Sequence, residues 1–254
     1  MTGVVAIACG RHGCYAPNAV VDLFKGEQQK NVDFAFLKAL MSTGVTAEQG
    51  CLMIYDIVCQ YIKYLEHQIG RLLPVGLTVD AAIGLFHVHA HQDKCFFRYA
   101  PSFIPGAAVI SGEILESLWS SLNAISPTAR TATLAHRAEM LDDHTSDSNH
   151  KKSLGIVRSL SKLHRMALDM RDNAQVYYDN LTMQAGQLAV EKWTRDIEEA
   201  ERGRRLDVSA MDIYAAKLDS RPTSTGQRVG SGGPGLPQDH WMVLSLTVEG
   251  KQYV

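Results

Sequence analysis

Residues 51–60 read CLMIYDIVCQ, a short apolar run that ends at the acidic residue Asp56. An apolar run of this length, bounded by a change in polarity, is typical of a buried β-strand. Two similar runs lie on either side of it in the chain, GVVAIAC at 3–9 and AAIGLFHVHAH at 81–91. Amphipathic segments separate the three runs, which predicts strands alternating with helices over residues 1–125. The expected fold class is therefore α/β or α+β.

The composition excludes several classes of protein. The chain has 254 residues, of which 46% are hydrophobic and 20% charged, and this balance is typical of a globular protein rather than a disordered one. Its apolar runs fall far short of the ~20 residues that span a bilayer, and the N-terminus does not resemble a secretory signal. Five cysteines, an odd number, do not indicate a disulfide framework. We expect an intracellular protein, neither secreted nor partnered with a membrane.

The second half of the chain differs from the first in composition and in predicted secondary structure. Residues 126–152 are polar and are predicted to form an irregular connection with one short helix, whereas residues 153–218 are predicted to be helical. Within the helical region, apolar residues recur at alternating spacings of four and three, as on one face of a helix. We call this set the apolar seam: Ile156, Leu160, Leu163, Ala167, Met170, Ala174, Tyr177 and Leu181. Such a seam needs a partner, so we expect it to be buried, with helix-mediated self-association as one way to bury it.

The end of the chain divides into two pieces. Residues 219–240 are rich in glycine and proline, a composition that does not bury enough apolar surface to offset its ordering entropy, and they are predicted to be a flexible linker. Residues 241–254 alternate apolar and polar side chains and are predicted to be a short strand-like tail. A single strand of this length does not fold alone.

Three acidic residues are candidates for catalysis or metal binding. Asp56 follows the apolar run at 51–55, where a strand would present a hard oxygen ligand to Mg²⁺. On spacing alone, a cap for the following helix is the simpler interpretation. Glu113 and Glu116 lie three residues apart, so on a helix they share a face and suit metal binding or acid–base work. The alternative is a solvated helix N-terminus, which acidic residues also favour.

Histidines and a cysteine are concentrated in residues 86–95, FHVHAHQDKC. On a strand His87, His89 and His91 would point to one side, whereas on a helix His87, His91 and Cys95 would line up. Either arrangement offers imidazole or thiolate ligands of the kind that zinc prefers. The alternative is a set of ordinary hydrogen-bonded histidines.

A basic stripe follows the polar region. Lys151, Arg158, Lys162 and Arg165 are separated by seven, four and three residues, which places them along one side of a helix. Because the whole chain has a net charge of only −2, any affinity for nucleic acid must come from a local patch of this kind. A solvated helix face is an equally good interpretation of the stripe.

Five motifs occur in a fixed order along the chain: GVVAIACGRHGCYAPNAVVDLFKGEQQKNVDFAF, MIYDIVCQY, FHVHAHQDKC, GEILESLWSSLN and HRAEMLDDHTSDSNHKK. This order resembles the KDZ (Kyakuja-Dileera-Zisupton) transposases of fungi. The resemblance implies an RNase H-like core that cleaves and joins DNA at transposon ends with Mg²⁺ or Mn²⁺, and a nuclear location. It makes Asp56 the second catalytic acid and Glu113, in preference to Glu116, the third. It also matches His87, His91 and Cys95 to a string that chelates Zn²⁺ or braces an insert.

The chain departs from the family at its start. In the family the first catalytic acid precedes the GVVA run, where this sequence begins, and the earlier aspartates Asp22 and Asp33 are expected at helix or loop edges. The resemblance therefore implies a partial RNase H-like core with a helical C-terminal extension, a DDE-type transposase fragment that is catalytically incomplete. The alternatives are a non-catalytic helical nucleic-acid-binding or scaffold module, or a simple metal-binding domain.

Overall fold

The structure is a computed structural model that describes residues 3–215 and the backbone of residues 245–252. It is a mixed α/β fold, as the sequence predicts. The linker predicted at 219–240 lies outside the described residues. The strands are β1 (Gly3–Cys9), β2 (Tyr15–Leu23), β3 (Cys51–Tyr55), β4 (Val79–Ala82) and β5 (Ser245–Gln252).

The five strands form one mixed sheet in the order β2-β1-β5-β3-β4. β1 pairs antiparallel with both β2 and β5, whereas β3 pairs parallel with both β4 and β5. The tail predicted to be strand-like thus contributes the middle strand of the sheet.

Seven α-helices lie in the described part of the chain, joined by short 3₁₀ turns. They are α1 (Gln29–Thr43), α2 (Val58–Ile69), α3 (Asp93–Tyr99), α4 (Ile114–Leu122), α5 (Ser126–Thr131), α6 (Leu134–Ala185) and α7 (Gln187–Gly203). The 3₁₀ turns are Gly70–Leu72, His87–Ala90, Pro101–Phe103 and Val208–Tyr214. No helix within 3–215 is both long and apolar enough to cross a membrane.

Both faces of the sheet are covered, which explains why β1 and β3 are continuous apolar runs. On one face, Ile7 and Met53 lie in a core shared with α1 and α2. On the other face, Val4 and Ala6 pack with Trp119 of α4. We call these the α1 face and the α4 face.

The region predicted to be an irregular connection, 126–152, is instead mostly helical, because α6 begins at Leu134. No glycine or proline interrupts residues 134–154, and the Thr133 side chain accepts the His136 N–H at the helix start. The buried side of these first turns consists of Arg137, Leu141 and Thr145. The serines and aspartates that made the segment read as a loop occupy the remaining, more exposed sides.

The apolar seam is not buried as the sequence predicted. The exposed fraction is 44% for Leu163 and 64% for Leu181. The reason is the length of α6: its 52 residues extend about 78 Å at 1.5 Å per residue, well beyond the sheet on which its first turns pack. The helical periodicity is present, but among the described residues the seam remains largely accessible to solvent.

Candidate functional site

The site begins where β3 ends. All five residues of β3 are buried, and Asp56 is the first residue after the strand, with a side chain that is 33% exposed. The residue at the N-cap position of α2 is Ile57, so Asp56 is not the capping residue that spacing alone favours. A carboxylate on a short connection between two buried elements is held in place while it stays accessible from one side.

His87 brings two of the predicted acidic residues together. Its Nδ1 lies 3.5 Å from Oδ2 of Asp56, and its Nε2 lies 3.3 Å from Oε2 of Glu113. Glu113 directly precedes α4, and its Oε1 accepts the backbone N–H of Phe86 at 3.1 Å. The imidazole thus lies between two carboxylates that come from distant parts of the sequence.

Glu116 does not share this arrangement, since it is exposed on the first turn of α4. Burial raises the pKa of Asp56, and repulsion from Glu113, Glu27 and Glu116 adds to this effect, while the imidazole of His87 lowers it. The local surplus of negative charge is one that a divalent cation would offset, and carboxylate oxygens are the ligands that Mg²⁺ and Mn²⁺ prefer. The donor set therefore fits such a cation.

Two glycines make room for Glu113. A Cβ on Gly84 would collide with the Glu113 carboxylate, and a Cβ on Gly112 would lie 2.9 Å from the Gly84 Cα and 3.0 Å from Ile54 Cγ2. Gly112 also has φ +80°, a conformation that side chains rarely adopt. Neither glycine was among the residues predicted from the sequence, although Gly84 lies in the run at 81–91 and Gly112 begins the motif GEILESLWSSLN.

A second group includes His91, the residue that follows the turn His87–Ala90. Ligand atoms of Cys59, His91 and Cys95 all lie within 4.8 Å of one another, and Cys59 Sγ is 3.6 Å from His91 Nδ1. Cys59 is in the first turn of α2, and Cys95 is buried on α3. We call this group the Cys-His-Cys cluster. It is suited to zinc rather than magnesium because thiolate and imidazole are soft or borderline ligands.

Of the residues predicted to bind zinc, His91 and Cys95 belong to this cluster, and His87 lies instead between the two carboxylates. Sequence reasoning missed Cys59. The feature of the sequence that could have indicated it is its position in MIYDIVCQY, three residues after Asp56. Helix α2 starts between these two residues, so Cys59 lies in its first turn. Burial raises the pKa of the Cys59 thiol, and the neighbouring Cys95 raises it further, so a bound metal would be needed to hold Cys59 as a thiolate.

The basic stripe lies on α6. Lys151, Arg158, Lys162 and Arg165 are all exposed, and Lys151 Nζ is 2.6 Å from Asp147 Oδ2 one turn earlier. From the first to the last of these residues the helix rises about 21 Å, which is several phosphate spacings of duplex DNA.

Comparison with known proteins gives one match. The family model of the Kyakuja-Dileera-Zisupton transposases matches residues 1–149, more than half of the chain. No curated protein and no solved structure shows significant similarity to the chain. The matched range contains Asp56, His87 and Glu113 as well as the whole Cys-His-Cys cluster.

Proposed function

The chain belongs to the Kyakuja-Dileera-Zisupton transposase family, and we propose that it binds DNA and a divalent cation, Mg²⁺ or Mn²⁺, as part of DNA strand cleavage and transfer. The observation that carries this proposal is the convergence of Asp56 and Glu113 on His87 at the carboxyl end of β3. When bound, such a cation would activate the attacking oxygen and offset negative charge at the phosphate.

In this proposal Asp56 and Glu113 supply the oxygen ligands. His87 orients both carboxylates in the absence of the cation, and its imidazole is placed to hold a proton at Nδ1 or Nε2 as the carboxylates gain or lose charge. The three side chains are 21–33% exposed, which leaves them accessible to a DNA phosphate. Glu116 takes no part as a ligand.

We further propose that the sheet and its flanking helices are an RNase H-like core. The support is an antiparallel pair, β1 and β2, followed along the chain by the parallel pair β3 and β4, with helices on both faces. Strand cleavage with two ions about 3.5–4 Å apart needs a carboxylate that bridges them. Asp56 and Glu113 alone suit one ion, so with only these two acids the chain would be catalytically incomplete.

The partner in this proposal is DNA at transposon ends, met in the nucleus. The exposed basic stripe on α6 supports a phosphate contact that is independent of DNA sequence. The exposed apolar seam on the same helix supports self-association, since a contiguous apolar surface of this kind is usually covered by a partner.

A second, structural role is proposed for the Cys-His-Cys cluster, which we assign to Zn²⁺. The specific support is the approach of two sulfurs and one imidazole nitrogen to within 4.8 Å. Three ligands from the protein leave a fourth position in a tetrahedral site.

Binding of Mn²⁺, a paramagnetic substitute for Mg²⁺, tests the cation site. We expect the full-length chain to bind Mn²⁺ in an electron paramagnetic resonance titration, and Asp56→Asn and Glu113→Gln each to weaken binding at least tenfold. The matched control is Glu139→Gln, which removes one carboxylate from an exposed position on α6. Unchanged Mn²⁺ affinity in Asp56→Asn would contradict the proposal.

A further inference from the structure

The turn between β1 and β2 is closed by two backbone hydrogen bonds. Cys9 donates its N–H to the carbonyl oxygen of Cys14 at 2.7 Å, and Gly13 donates its N–H to the carbonyl oxygen of Cys9 at 2.7 Å. Gly13 has φ +69°, a conformation that a side chain would strain. The closed turn leaves the Arg11 side chain exposed at its tip, and we call this turn the hairpin tip.

Gly13 is the point where the hairpin tip meets two other elements. A Cβ on Gly13 would lie 3.1 Å from Cδ1 of Ile114 and 3.1 Å from Nζ of Lys152. Ile114 is the first residue of α4 and directly follows Glu113, whereas Lys152 lies on α6. The hairpin tip is therefore packed between the start of α4 and α6, beside the cation site that we propose.

A side chain of α6 fixes this helix against the hairpin. Oδ1 of Asn149 accepts the backbone N–H of Tyr15 at 2.7 Å, and Nδ2 of Asn149 donates to the Tyr15 carbonyl oxygen at 2.9 Å. Tyr15 is the first residue of β2, directly after the turn, and Asn149 lies about one helical turn before Lys152. Because both hydrogen bonds join the same two residues, the position of Lys152 beside the hairpin tip is well defined.

The hairpin tip has a local positive charge that acidic side chains do not neutralise. Within residues 3–215, neither Arg11 nor Lys152 forms an ion pair with a carboxylate. Burial lowers the pKa of His12, and the charge of Arg11 lowers it further. Burial also raises the pKa of the Cys14 thiol, and the charge of Lys152 opposes this effect. Two cations that have no anionic partner are available to bind an external anion.

We propose that Arg11 and Lys152 bind neighbouring backbone phosphates of duplex DNA beside the cation site. This inference rests on the proposed function. Guanidinium and ammonium groups donate charge-assisted hydrogen bonds to phosphate oxygens, and such contacts position DNA without reading its sequence. The chemistry of the ligand is thus that of a phosphodiester.

The location of this pair gives it a role that the basic stripe does not have. Lys152 lies about 100° around α6 from Lys151, the first residue of the stripe, and is directed towards the hairpin. The carboxylates of Asp56 and Glu113 repel a DNA backbone, and cations held beside them offset this repulsion. Arg11 and Lys152 therefore orient the phosphodiester at the cation site, whereas the stripe contacts DNA farther along α6.

The salt dependence of DNA binding tests the contact. In fluorescence anisotropy with a fluorescein-labelled duplex, Arg11→Met and Lys152→Met should each reduce the slope of log K against log salt by about 0.9 and weaken binding about eightfold at 0.1 M salt. Methionine retains most of the apolar stem of each side chain. The matched control is Lys30→Met, which removes an exposed cation from α1 on the other face of the sheet and should leave the slope unchanged. An unchanged slope in either Arg11→Met or Lys152→Met would overturn the proposal.

Lysine labelling tests the same contact in the unmodified sequence, so it does not depend on the folding of a variant. The chain is treated with an acetylating reagent in the presence and absence of duplex DNA, and the modified lysines are quantified by mass spectrometry. DNA should slow acetylation of Lys152 by at least about threefold, because an ammonium group bound to phosphate stays protonated and covered. The rate at Lys30 should not change. Equal rates at Lys152 with and without bound DNA would also overturn the proposal.

The outcomes separate this inference from the proposed function. If Arg11→Met and Lys152→Met keep the parent slope while Asp56→Asn loses Mn²⁺ binding, the cation site stands and the phosphate contact at the hairpin tip is refuted. If both variants lose slope while Asp56→Asn binds Mn²⁺ as the parent does, the phosphate contact stands and the cation site fails.

Discussion

Removal of one ligand from the Cys-His-Cys cluster should abolish stabilisation by zinc. In a tetrahedral site with Zn–S bonds of about 2.3 Å and Zn–N bonds of about 2.0–2.1 Å, a sulfur and a nitrogen are about 3.5–3.6 Å apart. The separation of Cys59 Sγ and His91 Nδ1 is 3.6 Å. This pair thus already has the spacing expected of two zinc ligands, and the third ligand atom, from Cys95, lies within 4.8 Å of both.

The size of the effect follows from linkage between binding and folding. Zinc at a free concentration 100 times its Kd stabilises the folded chain by about 2.7 kcal/mol, provided that the unfolded chain does not bind it. For a protein of this size that corresponds to a rise of about 5–11 °C in Tm. We expect this rise when zinc is added to the chelator-treated parent, and none in Cys95→Ser.

The assay is thermal melting followed by circular dichroism, with and without zinc. Cys51→Ser is the matched control, because Cys51 is also a buried cysteine but lies on β3 outside the cluster. Both substitutions lower Tm in the metal-free protein, so the quantity compared is the increment that zinc adds. A full increment in Cys95→Ser, or none in the parent, would refute the zinc assignment.

Three other changes have definite expected outcomes. Arg137 is buried and donates a hydrogen bond to Asp22 at 2.8 Å. Arg137→Met should lower the free energy of unfolding by about 3 kcal/mol, which corresponds to about 6–12 °C in Tm. The control Arg165→Met, on the same helix, should lower it by less than about 0.5 kcal/mol. Leu163→Asp should cost less than about 1 kcal/mol in chemical denaturation, because Leu163 is 44% exposed; a loss of several kcal/mol would show that a partner covers the apolar seam. Lys162→Ala should weaken binding to duplex DNA in fluorescence anisotropy and reduce the slope of log K against log salt by about 1, and an unchanged slope would exclude a phosphate contact there.

The sequence predicted where the strands lie better than it predicted which strands pair with one another. β1 and β3 are continuous apolar runs because both of their faces are covered, and this property is local enough to be recognised. The alternation in the last residues likewise indicated a strand. Nothing in that alternation specifies a partner, because pairing between β5 and β3 joins segments almost two hundred residues apart, and period-2 patterning identifies a face rather than a position in the sheet.

The same limit explains the error over the apolar seam. The spacing from Ile156 to Leu181 predicts a helix with one apolar face, and α6 is such a helix. Periodicity does not tell whether a second element covers that face. For residues 126–152 the error was the reverse, since a segment predicted to be irregular is mostly helical. Its Ser, Asp and His residues are compatible with the exposed side of a helix whose other side carries Arg137 and Leu141.

The histidine string shows why ligand sets are hard to predict from spacing. Periodicity groups residues within one element, and both groupings considered for residues 86–95 assumed a single strand or a single helix. The chain instead turns at His87–Ala90 before α3, so His87 and His91 meet different partners. Those partners, Asp56 and Cys59, come from the β3–α2 junction, and the sequence analysis recognised only the first of them as a candidate.

The two metal sites that we propose are joined through the same two segments. Asp56 and Cys59 are three residues apart at the start of α2, and His87 and His91 are four residues apart across one turn. Zinc bound by Cys59, His91 and Cys95 would therefore fix the turn against α2 and hold His87 between the carboxylates. Phe86, the residue before His87, donates its backbone N–H to Glu113. A turn fixed by zinc would therefore also restrict the position of Glu113 at the start of α4. In the proposed arrangement, zinc would position the acidic site, and the carboxylates would be the groups that bind the reactive cation.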